Sequence, residues 1–406
     1  MSVFRAAWIC PIVAPPIRRG WVAVRDGRIE ALGRASDVPP EPIAQDLGSV
    51  AVLPGLVNAH THLELSWLRD RVPPAGDFIS WIQQLMLQRR GRIESADDPN
   101  VMSGIRGALS EARETGTVAI GDISNSLASV GPLREAGFDA VVFHELLGFK
   151  EVDGDLVERS RPLRAAAARA ADGRVRVSIA PHAPYSVSSE LFRAIRAEVR
   201  ASDLPVSTIH LGESRSEMVL LRDGTGPWVD ILRFLGVFPA DWQPPGTGPV
   251  EYLDGLGVLD DRTMAVHAVQ LDNQGLRRLA SLGSTIVTCP RSNQWVGEGV
   301  PPIARFYESG AAVAVGTDSL ASVADLNLFS ELATMRWLAP DIPARQLLES
   351  ATLNGARALG LGDDLGSIEV GKRSDLIAVD IPGDVTDVED HLVRGVDPRR
   401  IHWVAT

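Results

Sequence analysis

The chain has 406 residues, 45% of them hydrophobic and 23% charged, which excludes a disordered or fibrous polypeptide and prescribes a packed globular protein. Forty basic residues against 52 acidic ones leave a net charge of -12, a poor match for a phosphate backbone, so nucleic acid is not an expected partner. Cys10 and Cys289, the two cysteines, build neither a disulfide framework nor a cysteine zinc cluster. A reducing compartment, the cytoplasm, is the expected location. Prolines at Pro11, Pro15 and Pro16 break the opening apolar run, and no stretch of about 18 apolar residues follows, so neither a secretion signal nor a membrane span is expected.

From Val3 to Leu53 short β-prone runs alternate with glycine and proline, and Asp26-Gly27 inside WVAVRDGRIEALG is a hairpin turn signal. Similar texture returns in GSIEVGKRSDLIAVD, Gly366 to Asp380. The two ends, 1–53 and 366–406, are expected to form one composite β-sandwich around a middle domain, 54–365. That middle part alternates apolar or β-branched runs with helix-compatible stretches such as SGIRGALSEARETG and LFRAIRAEVRAS. Candidate strands end near His60, Asp122, His144, His182, His210, His267, Cys289 and Asp318. Eight βα units predict an α/β fold, a (β/α)8 TIM barrel, with its active site at the carboxyl face where these polar residues fall. A doubly wound open sheet is the structural rival. The proline and glycine-rich Pro239 to Gly257 reads as a lid or a connection.

The strongest local signal is PGLVNAHTHLE, Pro54 to Glu64. Residues two apart on a strand share a face, so His60 and His62 would enter the barrel mouth together at a spacing suited to one metal ion. His210, in PVSTIHLGES, ends strand five, and Asp318, in AAVAVGTDSLAS, ends strand eight. Three imidazoles and a carboxylate compose a site for one divalent ion, Zn2+ or Fe2+, with room for a water.

PGLVNAHTHLE, PHAPYSVS, HLGES, MAVHAVQ, CPRSN, GTDSLAS, ATLNGARALG and GSIEVGKRSDL together resemble the amidohydrolase superfamily over nearly the whole chain. The resemblance implies a barrel with a terminal β-sandwich, metal ligands at His60, His62, His210 and Asp318, and a homodimer. Members with two metals carry a lysine on strand four. RVRVSIAPHAPYS has none, and the two lysines, Lys150 and Lys372, lie elsewhere, which implies a mononuclear site.

His210-Leu211-Gly212-Glu213 is similar to the HxxE element of mononuclear deaminases, which implies Glu213 as proton shuttle, with Asp318 accepting a second proton and His267 hydrogen-bonding the attacking oxygen. His182 resembles a strand-four histidine that contacts substrate in nucleoside deaminases. Arg291 and Ser292, at the mouth of strand seven, are further candidates for substrate binding, Arg291 as a clamp on a carboxylate. Asn125, His144, Glu145 and Glu64 are candidates for substrate contact or support, and Trp67, Trp81 and Trp295 for stacking on a flat ring. Cys289 reads as a buried thiol.

The expected reaction is therefore hydrolytic deamination of a heteroaromatic amine, an aminopurine nucleoside derivative, with release of ammonia; HTHLELS, CPRSN and GTDSLAS are most similar to the aminodeoxyfutalosine deaminase branch, near the adenosine, methylthioadenosine and adenosylhomocysteine deaminases. Chloride displacement or cyclic amide hydrolysis on the same metal is the nearest alternative. A non-catalytic metal-binding scaffold is the alternative of another class.

Overall fold

The computed structural model describes residues 1–90, 94–150 and 154–404. Eight parallel strands carry the middle of the chain: β1 (Leu56–Thr61), β2 (Thr117–Ser124), β3 (Asp139–Leu146), β4 (Val175–Pro181), β5 (Ser207–Leu211), β6 (Thr263–His267), β7 (Thr285–Thr288) and β8 (Val313–Val315). They form two four-stranded sheets, β1 to β4 and β5 to β8, each in sequential order. Backbone hydrogen bonds join the sheets at both seams. His210 N donates to His182 O at 2.9 Å on one side, and Thr317 N and Asp318 N each donate to His60 O at 3.1 Å on the other. The fold is the α/β barrel expected from the alternation of patterns, and every strand ends within three residues of its expected terminus.

Helices follow the strands. Pro99–Glu114 precedes β2, starts with Asp98 accepting from Asn100 N, and places Pro99 at its first position, where a missing N–H is harmless. Ser189–Arg200 follows β4; Ser188 caps it, and Leu191, Phe192, Ile195 and Val199 make the buried stripe. In β3, Val141 and Phe143 pack in one cluster while Ala140 and Val142 pack in another, the period-two alternation of a strand covered on both faces.

The two ends of the chain meet in one sheet. Leu376–Asp380 pairs antiparallel with Val50–Pro54, inside a five-stranded sheet completed by Ile401–Trp403, Trp8–Ile9 and Ile17–Arg18. Ser2–Arg5, Trp21–Arg25, Arg28–Gly33 and Gln45–Asp46 form a second sheet. Asp26 and Gly27 turn its hairpin with φ of +51° and +73°, both left-handed as a tight two-residue turn requires. Phe4, Val22, Val24 and Ile29 of that sheet share one apolar cluster with Ile9, Val52 and Leu376 of the other. Val50–Pro54 alternates between two cores: Val50 and Val52 face this cluster, whereas Ala51 and Leu53 face a large one shared with the barrel. The strand leads directly into β1 and so sets where β1 begins.

The segment 239–257 is a coil that ends in the helix Pro249–Gly255. Trp242 within it packs against Phe149, with ring centroids 5.4 Å apart. Among the described residues no helix is long and apolar enough to cross a membrane.

Candidate active site

Six of the eight histidines, His60, His62, His144, His182, His210 and His267, lie at or just beyond the carboxyl ends of barrel strands, and five of these draw together. His60 is wholly buried, with its ring centroid 5.0 Å from those of His62 and His210 and 5.8 Å from that of His267. Neither of its ring nitrogens has a hydrogen-bond partner among the described residues. A buried nitrogen without a partner forfeits its water at a cost of about 1–3 kcal/mol, so two on one ring demand an explanation.

The neighbours supply it. His210 Nδ1 lies 3.1 Å from the carbonyl of His182, which requires a proton on Nδ1 and leaves Nε2 with a lone pair. That bare Nε2 stands 3.3 Å from His62 Nε2, and His62 Nε2 stands 3.6 Å from Asp318 Oδ1. Ligand atoms of His60, His62 and Asp318 all lie within 4.8 Å of one another, as do those of His60, His210 and His267. Burial, the largest influence, pushes the imidazoles toward their neutral forms: His62 to about 3, His210 to about 4, His60 well below its ordinary value. Neutral nitrogens and a carboxylate gathered in two triads that share His60 are the donor types of a divalent cation with intermediate softness.

Asp318 is set by its surroundings. Ser319 N donates to Oδ1 at 2.8 Å; Ser292 Oγ and Ser322 Oγ donate to Oδ2 at 2.6 and 3.2 Å. Its backbone takes a left-handed φ of +61°, a strained conformation for a residue with a Cβ. Gly316, just before, lies so close to β1 that an added Cβ would meet His60 O at 2.6 Å. Only glycine lets the two seam strands approach here.

Glu213 lies across the cluster, 4% exposed, with Oε1 3.5 Å from His267 Nε2. Burial first, and then the charge of Asp318, raise its pKa well above the ordinary carboxylate value, which favours the protonated acid. Its turn is made by Gly212, with φ of +61°, and by Glu217, whose carboxyl accepts from Gly212 N at 2.9 Å and Glu213 N at 3.1 Å. Ser214 caps the following helix, Arg215–Asp223, by accepting from Glu217 N. Sequence reasoning missed Glu217, although Ser214-Arg215-Ser216-Glu217 carries the capping-box spacing that marks it.

His182 lies at this mouth, its ring centroid 4.9 Å from that of His210 and its Nδ1 2.6 Å from Ser186 Oγ. Tyr185 packs edge-on against His182 and stacks on Trp228 at 4.0 Å, and Phe78 closes the wall 6.4 Å from Tyr185. Tyr185 and Trp228 were not singled out by sequence; PHAPYS contained the first, while Trp228 sits in a helix, Pro227–Phe234, that pattern alone does not direct anywhere. Of the three tryptophans considered for stacking, Trp81 is buried beside Phe78, Trp67 is buried, and Trp295 donates to Val72 O at 3.1 Å.

Other candidates are placed differently from expectation. Arg291 does not serve as a free clamp. Its Nε bonds Glu331 Oε1 at 2.7 Å, and its Nη atoms bond Asp325 Oδ1 and Asp325 O, both at 2.8 Å, because Glu331 is fully buried and needs a cation. His144 turns away from the cluster: it continues the face of Ala140 and Val142 and meets Ser160 Oγ at 2.8 Å, on the helix Asp155–Ala170. Glu145, one residue on, points the other way, 3.6 Å from His210 Nδ1. Ser292 is wholly buried and holds Asp318, so it offers no surface to a substrate. Asn125 Nδ2 is spent on Glu145, at 3.0 Å to Oε2 and 3.1 Å to O. Glu64 accepts from Ser124, Asn125 and Ser126 and so organises the loop after β2. Cys289 is buried, and burial drives its thiol far from ionisation.

The barrel, with this polar cluster at the carboxyl ends of its strands, defines a metal-dependent hydrolase of the (β/α)8 class. The chain belongs to the amidohydrolase family, whose profile matches residues 51–401. It is 32% identical to a 5-methylthioadenosine/S-adenosylhomocysteine deaminase of Moorella thermoacetica, over 96% of this chain and 89% of that one. Among solved structures, aminofutalosine deaminase of Helicobacter pylori, in complex with methylthio-coformycin, superposes with a TM-score of 0.85 and 26% identity, covering 97% of this chain and 95% of that one. An adenosine deaminase from Xanthomonas campestris with bound zinc gives a TM-score of 0.82 and 28% identity, covering 98% and 90%.

Proposed function

We propose that this protein is a hydrolytic deaminase of adenosine-type nucleosides, using one divalent cation, zinc, held by His60, His62, His210 and Asp318. The observation that carries the reading is the convergence of the ring nitrogens of His62 and His210 beside Asp318, around a His60 whose ring nitrogens have no partner among the described residues, with the buried Glu213 at the edge. The names of the relatives support the substrate class: they are deaminases of methylthioadenosine, adenosylhomocysteine, aminofutalosine and adenosine.

A divalent cation in this set supplies Lewis acidity and a water that loses its proton near neutral pH. The chain's residues do the rest. Glu213, kept protonated by burial, donates to the ring nitrogen next to the amino-bearing carbon, which makes that carbon electrophilic, and is restored by a proton from the water as its oxygen adds to that carbon. His267 donates a hydrogen bond toward the attacking oxygen. Asp318 takes a proton from the water and passes it to the departing amine, which leaves as ammonia. His182 lines the site beside the ring, and the aromatic wall of Tyr185, Trp228 and Phe78 packed behind it excludes water.

The test is ammonia release by the zinc-loaded protein across adenosine, methylthioadenosine, adenosylhomocysteine, 5′-deoxyadenosine, aminodeoxyfutalosine, guanine and cytosine. One adenine nucleoside well above the rest fixes the reaction. Silence across the panel, with zinc confirmed in the same sample, sinks the assignment and returns chlorinated triazines and cyclic amides to consideration.

A further inference from the structure

His267 belongs to the buried cluster, and its ligand atom falls within 4.8 Å of those of His60 and His210. Distance alone therefore does not say why one histidine should donate a hydrogen bond while its neighbours accept a cation. The answer lies behind the ring. Asn293, in the short helix Pro290–Trp295 that follows β7, is wholly buried and brings Nδ2 to 3.1 Å from His267 Nδ1.

An amide nitrogen donates and does not accept. A neutral imidazole that accepts at Nδ1 carries its proton at Nε2. Nε2 is the atom that faces Glu213, 3.5 Å from Oε1. His210 shows the opposite arrangement, since the carbonyl of His182 takes its Nδ1–H and bares its Nε2. Two stacked rings, with centroids 5.3 Å apart, are thus held in opposite tautomers by what lies behind them, an amide donor for one and a carbonyl acceptor for the other. The backbone of His267 contributes as well. Its φ of +74°, followed by +56° at Ala268, is left-handed, a conformation that side-chain-bearing residues adopt only when the surroundings enforce it.

We propose that Asn293 is a positioning residue that locks His267 in the Nε2–H form, so that this imidazole presents a hydrogen-bond donor to the reacting centre and is withheld from the cation. The inference rests on the reading of the cluster as a cation site. It assigns a division of labour: His60, His62 and His210 offer lone pairs, and His267 offers a proton.

The experiment is 15N spectroscopy of the zinc-loaded protein labelled at histidine, with the His267 signals identified by their loss in His267→Gln. The expected result is a protonated Nε2 and a bare Nδ1, unchanged between the metal-free and zinc-loaded protein. A proton on Nδ1, or an Nε2 that loses its proton when zinc is added, overturns the proposal. In Asn293→Asp the carboxylate only accepts, so it draws the proton to Nδ1; kcat is expected to fall roughly a hundredfold or more with KM and zinc content unchanged. An Asn293→Asp protein that keeps full kcat also overturns it, and if that variant does not fold the wild-type spectrum decides. The tautomer is read without turnover, so an inactive protein with Nε2–H intact counts against the proposed reaction and not against the role of Asn293.

Discussion

The Nε2 atoms of His62 and His210 stand 3.3 Å apart with their rings inclined at 23°, and the proton of His210 is occupied on its far side by the carbonyl of His182. With that proton placed, His210 Nε2 carries a lone pair that faces His62 Nε2 and lies near the Asp318 carboxylate, which is where a cation would sit. The first prediction concerns that cation. His62→Ala and Asp318→Ala are expected to purify with little zinc and no measurable turnover. Ser292→Ala, which removes the 2.6 Å bond to Asp318 Oδ2, is expected to weaken zinc affinity roughly 10- to 100-fold. Metal analysis after dialysis against a graded chelator checks all three; full zinc retention in His62→Ala contradicts the assigned ligand set.

Glu213→Gln keeps shape and burial but removes the acidic proton. With zinc content unchanged, kcat is expected to fall by about 10²- to 10⁴-fold, the range for loss of a general acid or base. Steady-state ammonia release measures it, and a variant with wild-type kcat excludes Glu213 as the shuttle.

Gly316→Ala places a Cβ 2.6 Å from His60 O and 2.7 Å from His60 Cβ, within the seam between β8 and β1. Backbone on one side cannot yield as a flexible side chain can. The expected loss is about 1–3 kcal/mol of stability, as for other overpacked sites, together with reduced zinc affinity because both Asp318 and His60 shift. Chemical unfolding and metal titration report the two effects separately; wild-type values in both contradict the steric argument.

Burial lowers the pKa of His182 to about 4, against 6.5 for the free side chain. The unfolded chain therefore binds more protons than the folded one between pH 6.5 and 4, so the contribution of His182 to stability is complete above 6.5 and is lost as pH falls through that window. His182→Asn lacks this linkage. In the metal-free protein, acidification from pH 7 to 5 is expected to cost the wild type roughly 2 kcal/mol more than the variant. Parallel denaturant melts at both pH values test the sign; a variant that loses more than the wild type refutes it.

Arg291 neutralises Glu331, which is fully buried. Arg291→Ala is expected to cost about 3–5 kcal/mol of stability by stranding that carboxylate, while Arg291→Ala combined with Glu331→Leu recovers most of it. If the single variant instead melts like the wild type and raises KM only for a carboxylated nucleoside, the clamp role returns.

Much of this protein was legible from its sequence because its signals are local. The alternation of apolar and helical periods counts eight strands, and His60-Thr61-His62 puts two imidazoles at one strand end. The HxxE spacing after β5 points to Glu213, and β-prone texture recurs at both ends, where Val50–Pro54 pairs with Leu376–Asp380. Each depends on residues adjacent in the chain, or on strand ends that a barrel must gather at one face. The tertiary structure decided what depends on partners far apart in sequence. His144 and Glu145 are neighbours that strand alternation aims to opposite sides, and Arg291 looked free until the fold brought a buried Glu331 against it, 40 positions away. The tautomers of His210 and His267 are set by a carbonyl 28 residues earlier and an amide 26 residues later. A sequence specifies which groups exist and which face of an element they share; which proton each one keeps is fixed only when folding buries it beside a particular donor or acceptor.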